Sequence, residues 1–335
     1  MEPYADVVES YRGFAAYAGS DSPTFHDWAA SVADDREVVA WIAGLPDVKQ
    51  QPNLVFAAAR WHGVTAPGPY SGLRDALLAD EGAIRSTILA RATQTNEVGR
   101  LATLLPAFSQ FPGPLALIEV GASAGLCLYP DRWSYAWSTP AGEVRLGDAP
   151  RLSCQVTGPA PLPTELPTVT RRAGVDLNPL HVDDPEQMAW LEQLIWPEQT
   201  DRRVTLRHAI ATARREPPEL LTGDLLRELP ALVEQASAHG TVVVFHSAVI
   251  AYLRPADRST FDATMRTLVN ERKCHWVSNE GKNVLPSITR TGPVISETDH
   301  TFVLGVDGQM VAQTHGHGRS LTWTAEDHST SRVLA

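Results

Sequence analysis

The chain has little with which to build a disulfide framework, a membrane anchor or a polyanion-binding face. Its three cysteines, Cys127, Cys154 and Cys274, stand far apart, are odd in number and include no Cys-x-x-Cys pair. They read as reduced thiols of a cytoplasmic protein, with neither a disulfide scaffold nor a cysteine zinc site. No apolar run approaches the roughly 20 residues that span a bilayer. Residues 1–6 are acidic, where a secretory signal is basic and then apolar. Basic side chains are also in deficit, 28 Lys and Arg against 39 Asp and Glu, for a net charge of −11. Nucleic-acid affinity depends on cations that neutralise phosphates, so no nucleic-acid partner and no membrane partner is expected. A small-molecule substrate fits better, and the charge favours a cationic or neutral one.

What the chain does have is an ordinary globular balance, 43% hydrophobic and 20% charged over 335 residues. Residues 1–112 read as helical, with apolar residues at helical spacing over 7–18, 23–33, 35–43, 53–62 and 70–110. Ser22 followed by Pro23 is a strong helix start. From Leu115 the pattern changes to alternating strand and helix. Strands are expected at 115–120, 170–175, 219–222, 241–245 and 275–278, and helices at 123–128, 184–195, 202–215, 225–238 and 255–271. Such alternation implies a mostly parallel sheet covered by helices. Residues 301–306 and 310–314 flank Asp307-Gly308 and read as a closing antiparallel hairpin. A proline-rich insertion at about 130–167 is expected to form a β flap over the first strand's turn. The expected architecture is therefore α/β, with a helical N-terminal cap over 1–112 and a sheet domain over 113–335.

The most informative stretch is Leu115-Ala116-Leu117-Ile118-Glu119-Val120-Gly121-Ala122-Ser123-Ala124-Gly125-Leu126. It reads as a buried parallel strand ending in an acid, then a turn of small residues, then a helix starting near Ser123. Gly121 and Gly125 permit backbone approach that a Cβ would block. A helix start there would aim unpaired N–H groups at a ligand, and Glu119 sits where open α/β sheets bind ligands. Further polar groups fall at the ends of later strands: Asp176 with Asn178, Asp224 with Leu225, and His246 with Ser247.

This order resembles the class I S-adenosylmethionine-dependent methyltransferases over about 115–314. The resemblance implies a Rossmann-like sheet and S-adenosyl-L-methionine as cofactor. Glu119 and the Gly121, Ser123 and Gly125 turn would hold the methionine end. Asp176, with Asn178 beside it, would take the ribose hydroxyls. Asp224 and the Leu225 amide would approach the adenine, and His246 and Ser247 would face the transferred methyl. Ser123 departs from the usual glycine, and the insertion delays the second acid. Several phrases also resemble the bacterial family named domain of unknown function 2332: Thr93-Gln94-Thr95-Asn96-Glu97-Val98-Gly99-Arg100, the Glu119–Leu126 turn, Val175-Asp176-Leu177-Asn178-Pro179, Ile195-Trp196-Pro197-Glu198, Phe245-His246-Ser247, Trp276-Val277-Ser278-Asn279-Glu280 and His317-Gly318-Arg319. That family brings no activity with it.

Candidate roles follow. Thr95 and Asn96, in a polar cluster expected within a helix, are candidates to bond the cofactor's carboxylate, with Arg100 as counter-charge. His246, with an ordinary pKa of about 6.5, is a candidate general base, although most histidines after so apolar a strand are satisfied core residues. Glu280 is the alternative base or an ammonium anchor. His317 joins them as a candidate on the His315-Gly316-His317-Gly318 segment, read as a loop over the pocket in preference to a metal site. The expected function is methyl transfer to N or O of a small molecule. Two rivals stand beside it. Gly121-Ala122-Ser123-Ala124-Gly125 also satisfies the G-x-S-x-G elbow of serine hydrolases, against which stands the lack of strands upstream. A non-catalytic binding module is the other.

Overall fold

The computed structural model describes residues 6–19, 21–94 and 96–325. It divides into two compact units, residues 1–95 with 183–207, and residues 96–182 with 208–335. The first unit is helical: α1 (Val7–Ala18), α2 (Pro23–Asp34), α3 (Arg36–Ala43), α4 (Pro52–Trp61), α5 (Tyr70–Leu78) and α6 (Ala83–Ala90). Ser22 caps α2 by accepting the Phe25 N–H at 3.1 Å, with Pro23 in the first turn. Phe25 packs edge-on against Phe56 and Trp196 lies beside both Phe14 and Phe25, forming the unit's aromatic core. Trp196 also donates to Asn53, and Glu198 accepts the Thr24 N–H. These contacts explain why 183–207 belongs here, although the periodicity alone placed the boundary at 112.

The second unit contains α7 (Leu101–Phe108) and an 11-stranded sheet: β1 (Leu115–Val120), β2 (Ser134–Thr139), β3 (Gly142–Leu146), β4 (Arg151–Thr157), β5 (Val169–Asp176), β6 (Glu219–Thr222), β7 (Thr241–Ser247), β8 (His275–Gly281), β9 (Phe302–Val306), β10 (Gln309–Thr314) and β11 (Ser320–Trp323). In spatial order these run β3-β2-β4-β11-β10-β9-β8-β7-β1-β5-β6. Strands β6, β5, β1, β7 and β8 are mutually parallel, and β9, β10 and β11 follow antiparallel. Between β5 and β6 come α8 (Pro185–Leu194), in the first unit, and α9 (Thr200–Arg215), along which the chain returns to the second. Helices α10 (Leu225–Ala236) and α11 (Pro255–Asn270) connect β6 to β7 and β7 to β8. The chain thus extends the sheet one way from β1 through β5 to β6, then the other way from β7 to β8. That reversal makes the β1/β7 boundary a topological switch point, where ligands of open α/β sheets bind.

Two expectations are corrected here. The insertion is not a flap: β4 pairs with β11 (Gln155 with Ser320) and β2 with β4, so β2–β4 extend the sheet. The alternation along β4 buries Leu152, Cys154 and Val156, as a one-face-buried strand requires. Nor does an α-helix follow β1. Ser123 and Gly125 have φ of +52° and +68°, which breaks any helix over 123–128, and short 3-10 turns at Leu126–Leu128 and Pro130–Arg132 replace it.

Strand parity decides what each face carries. Ala116, Ile118 and Val120 share a face with Val242 and Val244, and pack with Leu229 and Val233 of α10, Phe261 and Met265 of α11, and Trp276 of β8. Leu117 and Glu119 lie on the other face with Phe245, whose ring packs edge-on against Phe108 of α7.

Candidate functional site

The site is built on the second of these faces, at the carboxyl ends of β1, β5 and β7. Glu119 is 6% exposed, and its Oε2 is buried with no hydrogen-bond partner among the described residues. Burial pushes its carboxyl well above the usual carboxylate range; the Arg100 guanidinium opposes the rise and Asp176 adds to it. Cys127 and Asn96 lie alongside and favour the ionised form. The Cys127 thiol is itself pushed up by burial and by Glu119, which makes it an inert neighbour.

Asn96 positions the turn: its Oδ1 accepts the Leu126 N–H at 2.8 Å. The Gln94–Arg100 cluster is not inside a helix. Among the described residues the next element after α6 is a 3-10 turn at Val98–Arg100, where Glu97 accepts the Gly99 N–H at 3.1 Å in place of a helical ladder. Thr95 lies outside the described residues. Arg100, 8% exposed, ties three segments together. Its Nε donates to Gly316 O at 2.7 Å, a terminal nitrogen donates to Ser247 O at 3.0 Å, and the guanidinium lies over the Phe302 ring. The loop with His315 and His317 therefore reaches this crevice. The His317 N–H donates to His315 Nδ1 at 3.0 Å, and a Cβ on Gly318 would stand 2.1 Å from Gly99 O.

The glycine turn is filled by protein. A Cβ on Gly121 would meet the Val249 side chain at 2.4 Å, and one on Gly125 would meet Pro218 at 2.8 Å. The turn's amides also have internal partners: Gly121 and Ala122 donate to Val175 O, and Ser123 to Asp176 Oδ2 at 2.9 Å. The unpaired helix N-terminus expected from the sequence is absent. Asp176 ties the β1 turn to the β5 turn, since its Oδ1 accepts the Asn178 N–H at 2.8 Å. Asn178 is exposed. Asp224 caps α10 by accepting the Leu226 N–H at 2.9 Å, with Leu225 the first helical residue. The Gly223 N–H reaches Asp176 O, which sets the β6 turn beside the β5 turn.

The expected bases are elsewhere. His246 and Glu280 point to the α10/α11 face, opposite Glu119, because His246 is one residue beyond Phe245. His246 is fully buried, with Nδ1 2.7 Å from Glu280 Oε1 and Nε2 accepting the Trp276 indole N–H at 3.0 Å. Both ring nitrogens are engaged, so His246 faces no acceptor and is corrected to a core residue.

Sequence reasoning missed a polar row on the Glu119 face. Thr314 Oγ1 lies 2.7 Å from Asn279 Oδ1, and Asn279 Nδ2 lies 3.0 Å from Ser247 Oγ. Asn279 and Thr314 are buried and Ser247 is the half-exposed end. The signal was parity: Asn279 alternates with Glu280, and only one of them can share a face with Ser247. Backbone strain marks the same place. Ser123 and Ala248, non-glycine residues at φ +52° and +60°, follow the two strands that flank the switch point.

Comparison with known families places the chain in one of them. A family model described as "uncharacterized protein conserved in bacteria (DUF2332)" matches residues 8–323. The chain belongs to that family. No curated protein matches it. Among the phrases that carried the DUF2332 resemblance, residues 96–100, the β1 turn, the β5 turn, the ends of β7 and β8 and the 315–319 loop meet in this unit, whereas Ile195, Trp196, Pro197 and Glu198 belong to the helical unit.

Proposed function

We propose that the second unit binds S-adenosyl-L-methionine in the β1/β7 crevice and serves methyl transfer to nitrogen or oxygen of a small molecule. The observation that carries this reading is Glu119, a buried acid near the end of β1, beside the switch point, with one oxygen that has no hydrogen-bond partner among the described residues. A buried acceptor without a partner is costly, and the cofactor's ammonium is a donor of the required charge. The parallel run β6-β5-β1-β7-β8 supports reading this part of the sheet as Rossmann-like.

The residues present fit the cofactor at its amine and ribose. Glu119 would hold the ammonium, with Asn96 and Arg100 beside it. Asp176 accepts the Ser123 and Asn178 N–H groups and so joins the β1 and β5 turns, where it would approach the ribose hydroxyls. Asp224 and Leu225 mark the side for the base. Gly121 and Gly125 shape the turn and do not cradle the ligand. When bound, the cofactor supplies an electrophilic methyl group. The chain's own part is orientation and exclusion of water, with Ser247 at the acceptor side and the His317 loop over it. No proton is assigned to His246 or Glu280, which lie on the opposite face.

Isothermal titration of the full chain with S-adenosylmethionine tests this. Binding is expected in the wild type and at least tenfold weaker in Glu119→Gln and Asp176→Ala; no heat of binding in the wild type overturns it. Binding without methylated product from any small-molecule panel favours a non-catalytic module. A hydrolase reading is favoured by one observation, the strained φ of Ser123, as a nucleophile elbow requires. Against it, among the described residues β1 is the first strand and only 3-10 turns separate it from β2.

A further inference from the structure

The His246–Glu280 pair has no part in the proposal above, yet its hydrogen bonds lead toward the same crevice. The Trp276 indole N–H is only a donor, so His246 Nε2 must accept it at 3.0 Å. The imidazole hydrogen is then on Nδ1, which donates to Glu280 Oε1 at 2.7 Å. That oxygen also accepts the N–H groups of Val249 at 2.9 Å and Ile250 at 3.1 Å. Three donors on one oxygen of a 2% exposed carboxylate fix the first turn after β7. The turn leaves the strand through Ala248, at φ +60°, whose N–H donates to Asn279 O at 3.1 Å. So held, Val249 lies over the bend of the β1 turn. Its two methyl carbons stand 2.4 and 2.6 Å from where a Cβ on Gly121 would be. Gly121 is two residues beyond Glu119, so an isopropyl wall adjoins the turn that follows the buried acid.

We infer that Glu280 is a positioning residue acting through the 249–250 backbone, and that Val249 sets which groups the crevice admits beside Gly121. The ligand class this selects is an ammonium carried on a methylene chain, with the charge at Glu119 and the chain against Val249. The inference about ligand class rests on the reading that ligand enters at the β1/β7 crevice; the Glu280 relay does not.

The test combines amide hydrogen exchange with titration of S-adenosylmethionine on the full chain. In Glu280→Leu, the Val249 and Ile250 amides exchange at least tenfold faster while those of Val243 and Val244 keep wild-type rates, and Kd rises at least tenfold. Glu280→Gln keeps an acceptor oxygen and returns both readouts to within about threefold of wild type. Val249→Ala leaves the relay and its slow exchange intact but changes Kd at least threefold. Unchanged exchange in Glu280→Leu overturns the positioning role, as does faster exchange with unchanged Kd. Wild-type affinity in Val249→Ala overturns the role of Val249. If Glu280→Leu does not fold, Trp276→Phe, which deletes the first donor, replaces it: faster exchange at Val249 and Ile250 supports the relay and wild-type rates overturn it. A wild type that binds no S-adenosylmethionine overturns the proposed function and the Val249 assignment together, and the exchange rates still decide Glu280.

Discussion

Two glutamates end parallel strands of one sheet, both buried, both with one carboxylate oxygen lacking a hydrogen-bond partner among the described residues. Their surroundings are opposite. Glu280 lies on the α10/α11 face, where its other oxygen accepts from His246, Val249 and Ile250. Glu119 lies on the α7 face beside Arg100, Asn96 and Asp176, within a turn whose backbone is strained. The first has three of the protein's own donors on one oxygen and behaves as a structural anchor. The second is surrounded by groups that any added cation would meet. Residue type and strand-end position are the same in both, and only the face distinguishes them.

The comparison breaks or sharpens first on stability. Glu280→Leu strands three buried donors, and breaking buried charged or hydrogen-bonded groups costs about 3–5 kcal/mol. Glu119→Gln keeps the shape and removes a carboxyl that burial disfavours, so near pH 4, where the wild-type group is protonated, its stability should lie within about 1 kcal/mol of wild type. Urea unfolding of the two variants measures both. Equal losses would show that Glu119 is as structural as Glu280.

A second, smaller effect is in pH. Burial raises the folded-state pKa of Glu119 above its ordinary value near 4.5. Below that ordinary value both folded and unfolded chains hold the proton, and Glu119 costs nothing by this route. As pH rises from there toward the folded-state pKa, only the unfolded chain releases it, and stability falls by up to about 1.4 kcal/mol per pH unit. Above the folded-state pKa the loss is complete and flat. The wild type should therefore lose stability relative to Glu119→Gln as pH is raised from about 4.5. Parallel stability–pH curves would place Glu119 in an environment no different from water.

Much of this architecture was legible in the residues. β1 and β6 occur at the expected bounds, and the Asp307-Gly308 hairpin joins β9 and β10 as its dipeptide requires. These are local signals: an apolar run, a turn dipeptide, a capping serine. What was not legible depends on distant partners. Nothing within 130–167 reveals that β11 offers β4 an edge, since that pairing joins Gln155 to Ser320. A turn of small residues after a buried strand reads as a helix start until Ser123 is seen at positive φ, bonded to Asp176. In the candidate site, Glu119 and Asp176 stand out in the sequence because an acid at the end of an apolar strand is conspicuous, and the structure places both at the carboxyl ends of neighbouring strands. His246 was read as a base, but adjacent residues at a strand end point to opposite faces, and one position of parity puts it in the core with both ring nitrogens bonded. Arg100 was noticed only as a counter-charge, because its bonds to Gly316 and Ser247 span more than 140 residues.

The smallest effect concerns Ser123, and it separates backbone strain from hydroxyl chemistry. At φ +52° a residue with a Cβ is disfavoured by about 1–2 kcal/mol, while glycine enters that region freely but loses more entropy on folding, about 0.5–1 kcal/mol. Ser123→Ala and Ser123→Gly both remove the hydroxyl, so their difference isolates the strain. Ser123→Gly is expected to be the more stable of the two by about 0.5–1 kcal/mol in thermal or urea unfolding. If instead the two are equal, the turn relaxes and the strain marks nothing. The same pair addresses the rival chemistry, because a nucleophilic Ser123 reacts with a fluorophosphonate in the wild type and in neither variant. With β1 as the first strand, no α-helix after the turn and both nitrogens of His246 engaged on the far face, no labelling of the wild type is expected. Labelling that disappears in both variants would turn the strained serine from a feature of the ligand turn into the reacting group, and would shift the site's chemistry from Glu119 to Ser123.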